Sequence, residues 1–134
     1  MDILQGKVVL LVDDDDNNVY ALTAALEDMG LEITIAINGI EALRKLEELE
    51  KTDIVLMDIM MPEMDGFEAM RIIRGNKKYT HLPIIALTAK AMKGDIDKCL
   101  EAGATGYLSK PIDVEKLLEL MKGLWSKEQM TNGY

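Results

Sequence analysis

The chain has one cysteine, one histidine and three prolines in 134 residues, and aromatic side chains make up only 4% of it. With a single thiol, Cys99, no internal disulfide can form, which excludes a small disulfide-stapled scaffold. Basic residues are also short: 15 Lys and Arg face 24 Asp and Glu, for a formal charge of −9. That is the wrong sign for gripping a phosphate backbone by counterion release, so no direct nucleic-acid binding is expected. No apolar run approaches the ~20 residues that span a bilayer, so no membrane insertion is expected. No cleavable signal precedes the first apolar run, and the cytoplasm is the default compartment. Gly39, Gly66 and Gly103 read as turn and cap glycines and form no G-x-G-x-x-G phosphate loop, which removes support for Rossmann-type cofactor binding. There is no low-complexity stretch and no internal linker.

What is present is a regular alternation. Hydrophobic residues make up 49% of the chain and charged ones 29%, enough for one core in a domain of ~100–150 residues. The run Val8-Val9-Leu10-Leu11-Val12 is apolar without alternation, as in a strand covered on both faces of a parallel sheet. From Val19, apolar residues recur at spacings of three and four through Leu22, Ala25, Leu26 and Met29, and Gly30 stops the helix. Asp15 and Asp16 are expected to cap its start. The pattern repeats: a strand over residues 33–37, an Asn38-Gly39 turn, and a helix turning Ile40, Leu43, Leu46 and Leu49 to the core. A strand over residues 54–57 ends at Asp58. A loop holding Pro62, Asp65 and Gly66 leads to a helix marked by Phe67, Met70 and Ile73 that closes near Gly75. A strand over residues 83–87 ends at Thr88. A helix over residues 93–102 carries Ile96, Cys99 and Leu100 on one face and ends at Gly103; Cys99 is expected to be a small buried hydrophobe. A strand over residues 106–109 runs into Lys110-Pro111, and residues 114–125 form the last helix. Five strand–helix units with right-handed crossovers give a doubly wound α/β sheet with helices on both faces. The domain reading is a short extension over residues 1–6, one domain over 7–125, and a polar, frayed tail over 126–134.

In an open parallel sheet, functional groups collect beyond the carboxyl ends of the strands. Asp13 and Asp14 stand there after the first strand, Asp58 after the third, Thr88 after the fourth and Lys110 after the fifth. Three converging carboxylates repel one another and raise one another's pKa, a cost that a divalent cation removes. An all-oxygen set suits a hard ion, Mg²⁺ in particular. The same groups suit a phosphoryl group. Lys110 supplies a point charge, Thr88 a hydrogen bond and Asp58 a nucleophilic carboxylate able to form an aspartyl phosphate.

The runs Leu11-Val12-Asp13-Asp14, Met57-Asp58-Ile59-Met60-Met61-Pro62-Glu63-Met64-Asp65-Gly66, Ala86-Leu87-Thr88-Ala89 and Gly106-Tyr107-Leu108-Ser109-Lys110-Pro111 resemble, in the family's order and spacing, the receiver domains of two-component response regulators. The segments from Ala86 to Gly94 and from Lys98 to Ala104 are similar to receivers carried on hybrid sensor histidine kinases. The resemblance implies a flavodoxin-like sheet of order 2-1-3-4-5. It implies a switch that takes phosphate from a phosphohistidine onto Asp58, catalysing its own phosphorylation and dephosphorylation without multiple turnover. Asp14, Asp58 and the Met60 carbonyl would bind Mg²⁺ directly and Asp13 through water. Thr88 and Lys110 would grip the phosphoryl group, with Thr88 and Tyr107 as switch residues and Lys110-Pro111 as a cis peptide. Met60 and Lys90 would tune the lifetime of the phosphate, bulky Met60 lengthening it. The output face of the fourth helix, fifth strand and fifth helix would include Met92, Ile96 and Tyr107. The implied partners are a histidine kinase or a histidine-containing phosphotransfer domain, with the chain a monomer or weak dimer. His81, read as a solvent-facing loop residue, cannot by itself supply the donor chemistry. An ending without an output segment fits a stand-alone or excised receiver.

Two other classes compete. A haloacid dehalogenase-type phosphatase also uses aspartate and Mg²⁺, but its Asp-x-Asp-x-Thr run would need threonine where Asn17 stands. A flavodoxin-like FMN binder would need a hydroxyl-rich phosphate loop and flanking aromatics. The ten methionines read mostly as core filler, with Met60, Met61 and Met64 in a loop where at least one can face a partner.

Overall fold

The computed structural model describes residues 3–61, 63–89 and 93–132, with side chains described through residue 126. Lys90, Met92 and Pro62 lie outside the described residues. Along the chain come β1 (Val8–Val12), α1 (Asp16–Asp28), β2 (Glu32–Ala36), α2 (Gly39–Glu48), β3 (Ile54–Asp58), α3 (Gly66–Gly75), a 3₁₀ turn (Lys77–Tyr79), β4 (Ile84–Thr88), α4 (Lys93–Ala102), β5 (Gly106–Ser109) and α5 (Val114–Asn132). The strands are parallel in the order β2-β1-β3-β4-β5. Among the described residues, no helix is long and apolar enough to cross a membrane.

Successive strand side chains point to opposite faces, so each continuous apolar run feeds two cores. Leu10, Val12, Val55, Met57, Ile84 and Ala86 meet residues of α2, α3 and α4, including Leu46, Met70, Ile73 and Cys99. Val9, Leu11, Ile54, Leu56, Ile85 and Leu87 meet α1 and α5 through Leu22, Leu26, Leu117, Met121 and Trp125. Both faces of β1, β3 and β4 are thus buried, which explains the absence of polar alternation in their sequence. Cys99 is buried, as expected.

Several boundaries differ from the sequence reading. Ile37 lies beyond β2 and is 53% exposed; its N–H donates to Glu41 Oε1 instead of to a strand neighbour. Of the four apolar residues expected inward on α2, Leu46 is buried, Leu43 and Leu49 are half-buried, and Ile40 is 53% exposed. At ~100° per residue, three steps of three residues carry a side chain halfway round the helix, so Ile40 and Leu49 cannot share a face. Ala42 takes the inward place. On α4, Leu100 is 48% exposed because Cys99 and Ala102 hold the inward stripe. Pro83, which lacks an N–H, precedes β4 and gives its carbonyl to Val55 N–H. Leu4, placed in the expected N-terminal extension, is fully buried against the α1/α5 core. The backbone of α5 continues past Trp125 to Asn132, through part of the expected tail.

The free edge of β2 carries a charged guard. Glu32 N–H bonds to Lys7 O and Ala36 O receives Asp13 N–H, so the alternate residue Ile35 turns its carbonyl outward. Lys45 from α2 donates to that carbonyl at 2.9 Å, a charged guard on an edge strand.

A second tie crosses the far end of the sheet. Arg74 donates to Gly103 O at 2.8 Å, to Tyr79 O at 2.7 Å and to Thr105 Oγ1 at 3.3 Å. Gly103 sits at φ +115°, and a Cβ there would lie 2.4 Å from Arg74 Cγ. Gly103→Ala is therefore expected to cost about 2 kcal/mol. Gly75→Ala, with open space at its Cβ position, should be neutral or stabilising; urea denaturation of the two variants checks the contrast.

Candidate functional site

The adjacency of β1 and β3 brings their carboxyl ends side by side, and each run stops on aspartate. Asp58 is the last residue of β3 and Asp13 follows β1; they are 3% and 0% exposed. Asp14 is exposed. One carboxylate oxygen from each of Asp13, Asp14 and Asp58 lies within 4.8 Å of the others. Thr88 ends β4 and is buried. Its carbonyl accepts Lys110 N–H at 2.7 Å, which aims the residue after β5 back toward the centre. Lys110 Nζ stands 3.1 Å from Asp58 Oδ1 and 3.4 Å from Asp13 Oδ2. All five groups read from the sequence therefore converge on one rim. The Lys110–Pro111 peptide is cis.

Helix starts hold the surrounding loops. Asp15 caps α1, accepting Asn17 N–H at 3.0 Å and Asn18 N–H at 3.4 Å. Asp16 lies in the first turn, where its charge favours the helix dipole. Asp13 Oδ1 accepts Asp15 N–H at 2.9 Å, and Asn18 Nδ2 donates to Asp13 Oδ2. Asn18 was not legible as a site residue: its only signal is a polar side chain in the first turn of the helix that follows the acidic run. With one oxygen taken by Asp15 and the other shared by Asn18 and Lys110, Asp13 is fixed in place.

The electrostatics follow from burial. Desolvation of Asp58 pushes its carboxyl up from 3.8 to about 6, the charge of Asp13 adds to this, and Lys110 partly opposes it. Burial works against the Lys110 ammonium, yet its hydrogen bond to Asp58 and the charges of Asp58 and Asp13 raise its pKa overall. Three carboxylates beside one ammonium leave two negative charges unmatched. Oxygens within 4.8 Å are close to what a small hard ion needs. With ligands at 2.0–2.1 Å, two on opposite sides of Mg²⁺ are ~4.2 Å apart. The donor set can thus hold a divalent metal.

Met60 is 75% exposed just beyond β3, Tyr107 is 38% exposed on β5, and Ile96 is half-buried on α4. His81 is exposed in the loop before β4.

Comparison with known proteins gives one answer. The family model described as "Response regulator receiver domain" matches residues 9–122. The chain is 37% identical over 135 residues to Histidine kinase 3 of Arabidopsis thaliana, covering 86% of this chain but only 13% of the plant protein. It is 37% identical over 116 residues to the polar-differentiation response regulator DivK of Brucella anthropi, covering 87% of this chain and 94% of DivK. The solved receiver domain of a Pseudomonas aeruginosa sensor histidine kinase superposes with a TM-score of 0.83 at 37% identity, over 90% of this chain and 98% of that one. That structure has a magnesium ion coordinated in its active site cleft. The family match leaves the haloacid dehalogenase reading without support. Sequence, fold and relatives agree that the chain belongs to the response regulator receiver domain family and is a signalling switch of two-component systems rather than a classical enzyme.

Proposed function

We propose that Asp58 is the phosphoryl acceptor of this receiver and that it works with Mg²⁺ held by Asp14, Asp58 and the Met60 carbonyl, with Asp13 acting through water. The observation that carries the reading is the buried Asp58 carboxylate, 3.1 Å from Lys110 Nζ and grouped with Asp13 and Asp14. When bound, the metal neutralises the carboxylates and the incoming phosphoryl oxygens. Asp58, largely ionised near neutral pH with a pKa of about 6, attacks phosphorus in line. The bond from phosphorus to the donor imidazole nitrogen breaks, and the imidazole leaves with the electron pair and takes a proton from solvent. Lys110 offsets charge on the transferred group, and the Thr88 hydroxyl donates to one of its oxygens.

The switch then runs through Thr88 to Tyr107 on the face of α4, β5 and α5, where Ile96 contributes; Met92 belongs to the same proposal. The partners are a histidine kinase or a histidine-containing phosphotransfer domain, with the chain a monomer or weak dimer in the cytoplasm. A two-state equilibrium biased by the aspartyl phosphate supplies the output.

Acetyl phosphate with Mg²⁺ should give one base-labile adduct on Asp58 by mass spectrometry. Asp58→Asn or metal-free buffer abolishes it, whereas multiple turnover of phosphate esters would contradict the switch.

The raised carboxyl pKa also fixes a sign. The folded chain holds the Asp58 proton more tightly than the unfolded chain does. Metal-free stability is therefore lost as pH rises from about 4 through about 6. Asp58→Asn should recover up to ~3 kcal/mol at pH 8 in metal-free urea titrations, and Mg²⁺ binding to the native protein should strengthen across the same interval. Met60→Asn should shorten the aspartyl phosphate half-life, followed by radiolabel loss; an unchanged half-life removes Met60 as a shield.

A further inference from the structure

The loop between β3 and α3 carries the Met60 carbonyl and must be held against the site. Its inner end is closed tightly. Ile59 N–H bonds to Leu87 O at 3.2 Å, Gly66 N–H bonds to Ile59 O at 3.0 Å, and a Cβ on Gly66 would fall 2.4 Å from Asp58 O. Its outer part bears the 75% exposed Met60 and reaches across to α2. Gly39 N–H donates to Met64 O at 3.4 Å. The Met64 side chain lies flat on Gly39: an added Cβ there would meet Met64 Cγ, Sδ and Cβ at 2.8–3.0 Å. Met64 also packs against the buried core beneath α2 and α3.

Gly39 is itself fixed. Asn38 caps α2 by accepting Glu41 N–H at 2.8 Å, and Glu41 accepts Ile37 N–H at 3.3 Å. Two residues earlier than Asn38, Ala36 O accepts Asp13 N–H at 3.0 Å. The backbone ties thus link Asp13, through the end of β2 and Gly39, to Met64 in the loop that follows Asp58. We propose that Met64, seated on Gly39, is a positioning residue for the Asp58 site. It sets the loop at the height where its carbonyl and Asp58 bind metal together, and it transmits site occupancy to the start of α2, where Ile37 and Ile40 are each 53% exposed. This rests on the assignment of Asp58 and its neighbours as a metal and phosphoryl site. The absence of a side chain at position 39 is what permits the contact; Met64 needs length and apolar bulk there, not sulfur chemistry.

Titration calorimetry with MgCl₂ on the wild type, Met64→Ala, Met64→Leu and Gly39→Ala tests this, with methyl NMR of Ile40 as an independent readout. Met64→Ala and Gly39→Ala should each weaken Mg²⁺ binding at least fivefold, while Met64→Leu stays within twofold of wild type. The Ile40 methyl should shift on Mg²⁺ addition in the wild type and lose that response in Met64→Ala. Wild-type affinity and Ile40 response in Met64→Ala overturn the inference, as does a Met64→Leu defect equal to that of alanine. Should circular dichroism show Met64→Ala unfolded, Gly39→Ala decides by the same criteria. A wild type that does not bind Mg²⁺ overturns the metal-site assignment itself, and the positioning role with it.

Discussion

Like charges are forced together at one rim of this sheet, and the rest of the molecule is arranged to hold them there. Two unit charges ~4 Å apart near a protein surface interact by about 4 kcal/mol, so Asp13 and Asp58 would spread apart on a compliant scaffold. They cannot, because each terminates or directly follows a strand buried on both faces. The bridging ammonium of Lys110 comes from the end of β5, two strands beyond β3 in the sheet. The site therefore spans most of the sheet's width and depends on its order as well as on its composition.

Precision at the rim comes from the loops, and these are held by short local bonds. α1, α2 and α3 each begin on an Asx cap: Asp15, Asn38 and Asp65 accept from the first turn of the helix that follows. Each cap satisfies amides that a helix start leaves unpaired and fixes the direction in which the chain leaves the strand. Asp13 belongs to the same scheme, since its carboxylate receives Asp15 N–H. The acidic run after β1 thus divides its labour: Asp13 is locked, Asp14 faces solvent, Asp15 caps the helix and Asp16 lies in its first turn.

The parts legible in the sequence were those encoded locally. Uninterrupted apolar runs marked β1, β3 and β4, and a polar residue at the end of each marked Asp13, Asp58 and Thr88. Lys110 was legible from its place at the close of the last strand and its spacing from Asp14, Asp58 and Thr88. Features set by tertiary partners were not legible. Arg74 reads as an ordinary helix-surface cation, yet its acceptors at Tyr79, Gly103 and Thr105 come from separate turns. Leu4 gives no sign that it fills the core beneath α1 and α5. Trp125 Nε1 reaches Asp53 O at 3.4 Å across the sheet, a contact no spacing rule contains. The misplacement of Ile40 had a different origin: a count of apolar residues in steps of three ignored how far the helix turns between them.

The capped border of β2 restricts how this module can associate. With an ammonium lying across Ile35 O, an incoming extended segment finds that acceptor taken and a cation in the way. Strand addition on the β2 side is thereby opposed by a charge that association along β5, at the other margin of the sheet, does not meet. Among the strands, β5 is the one farthest from the guarded border.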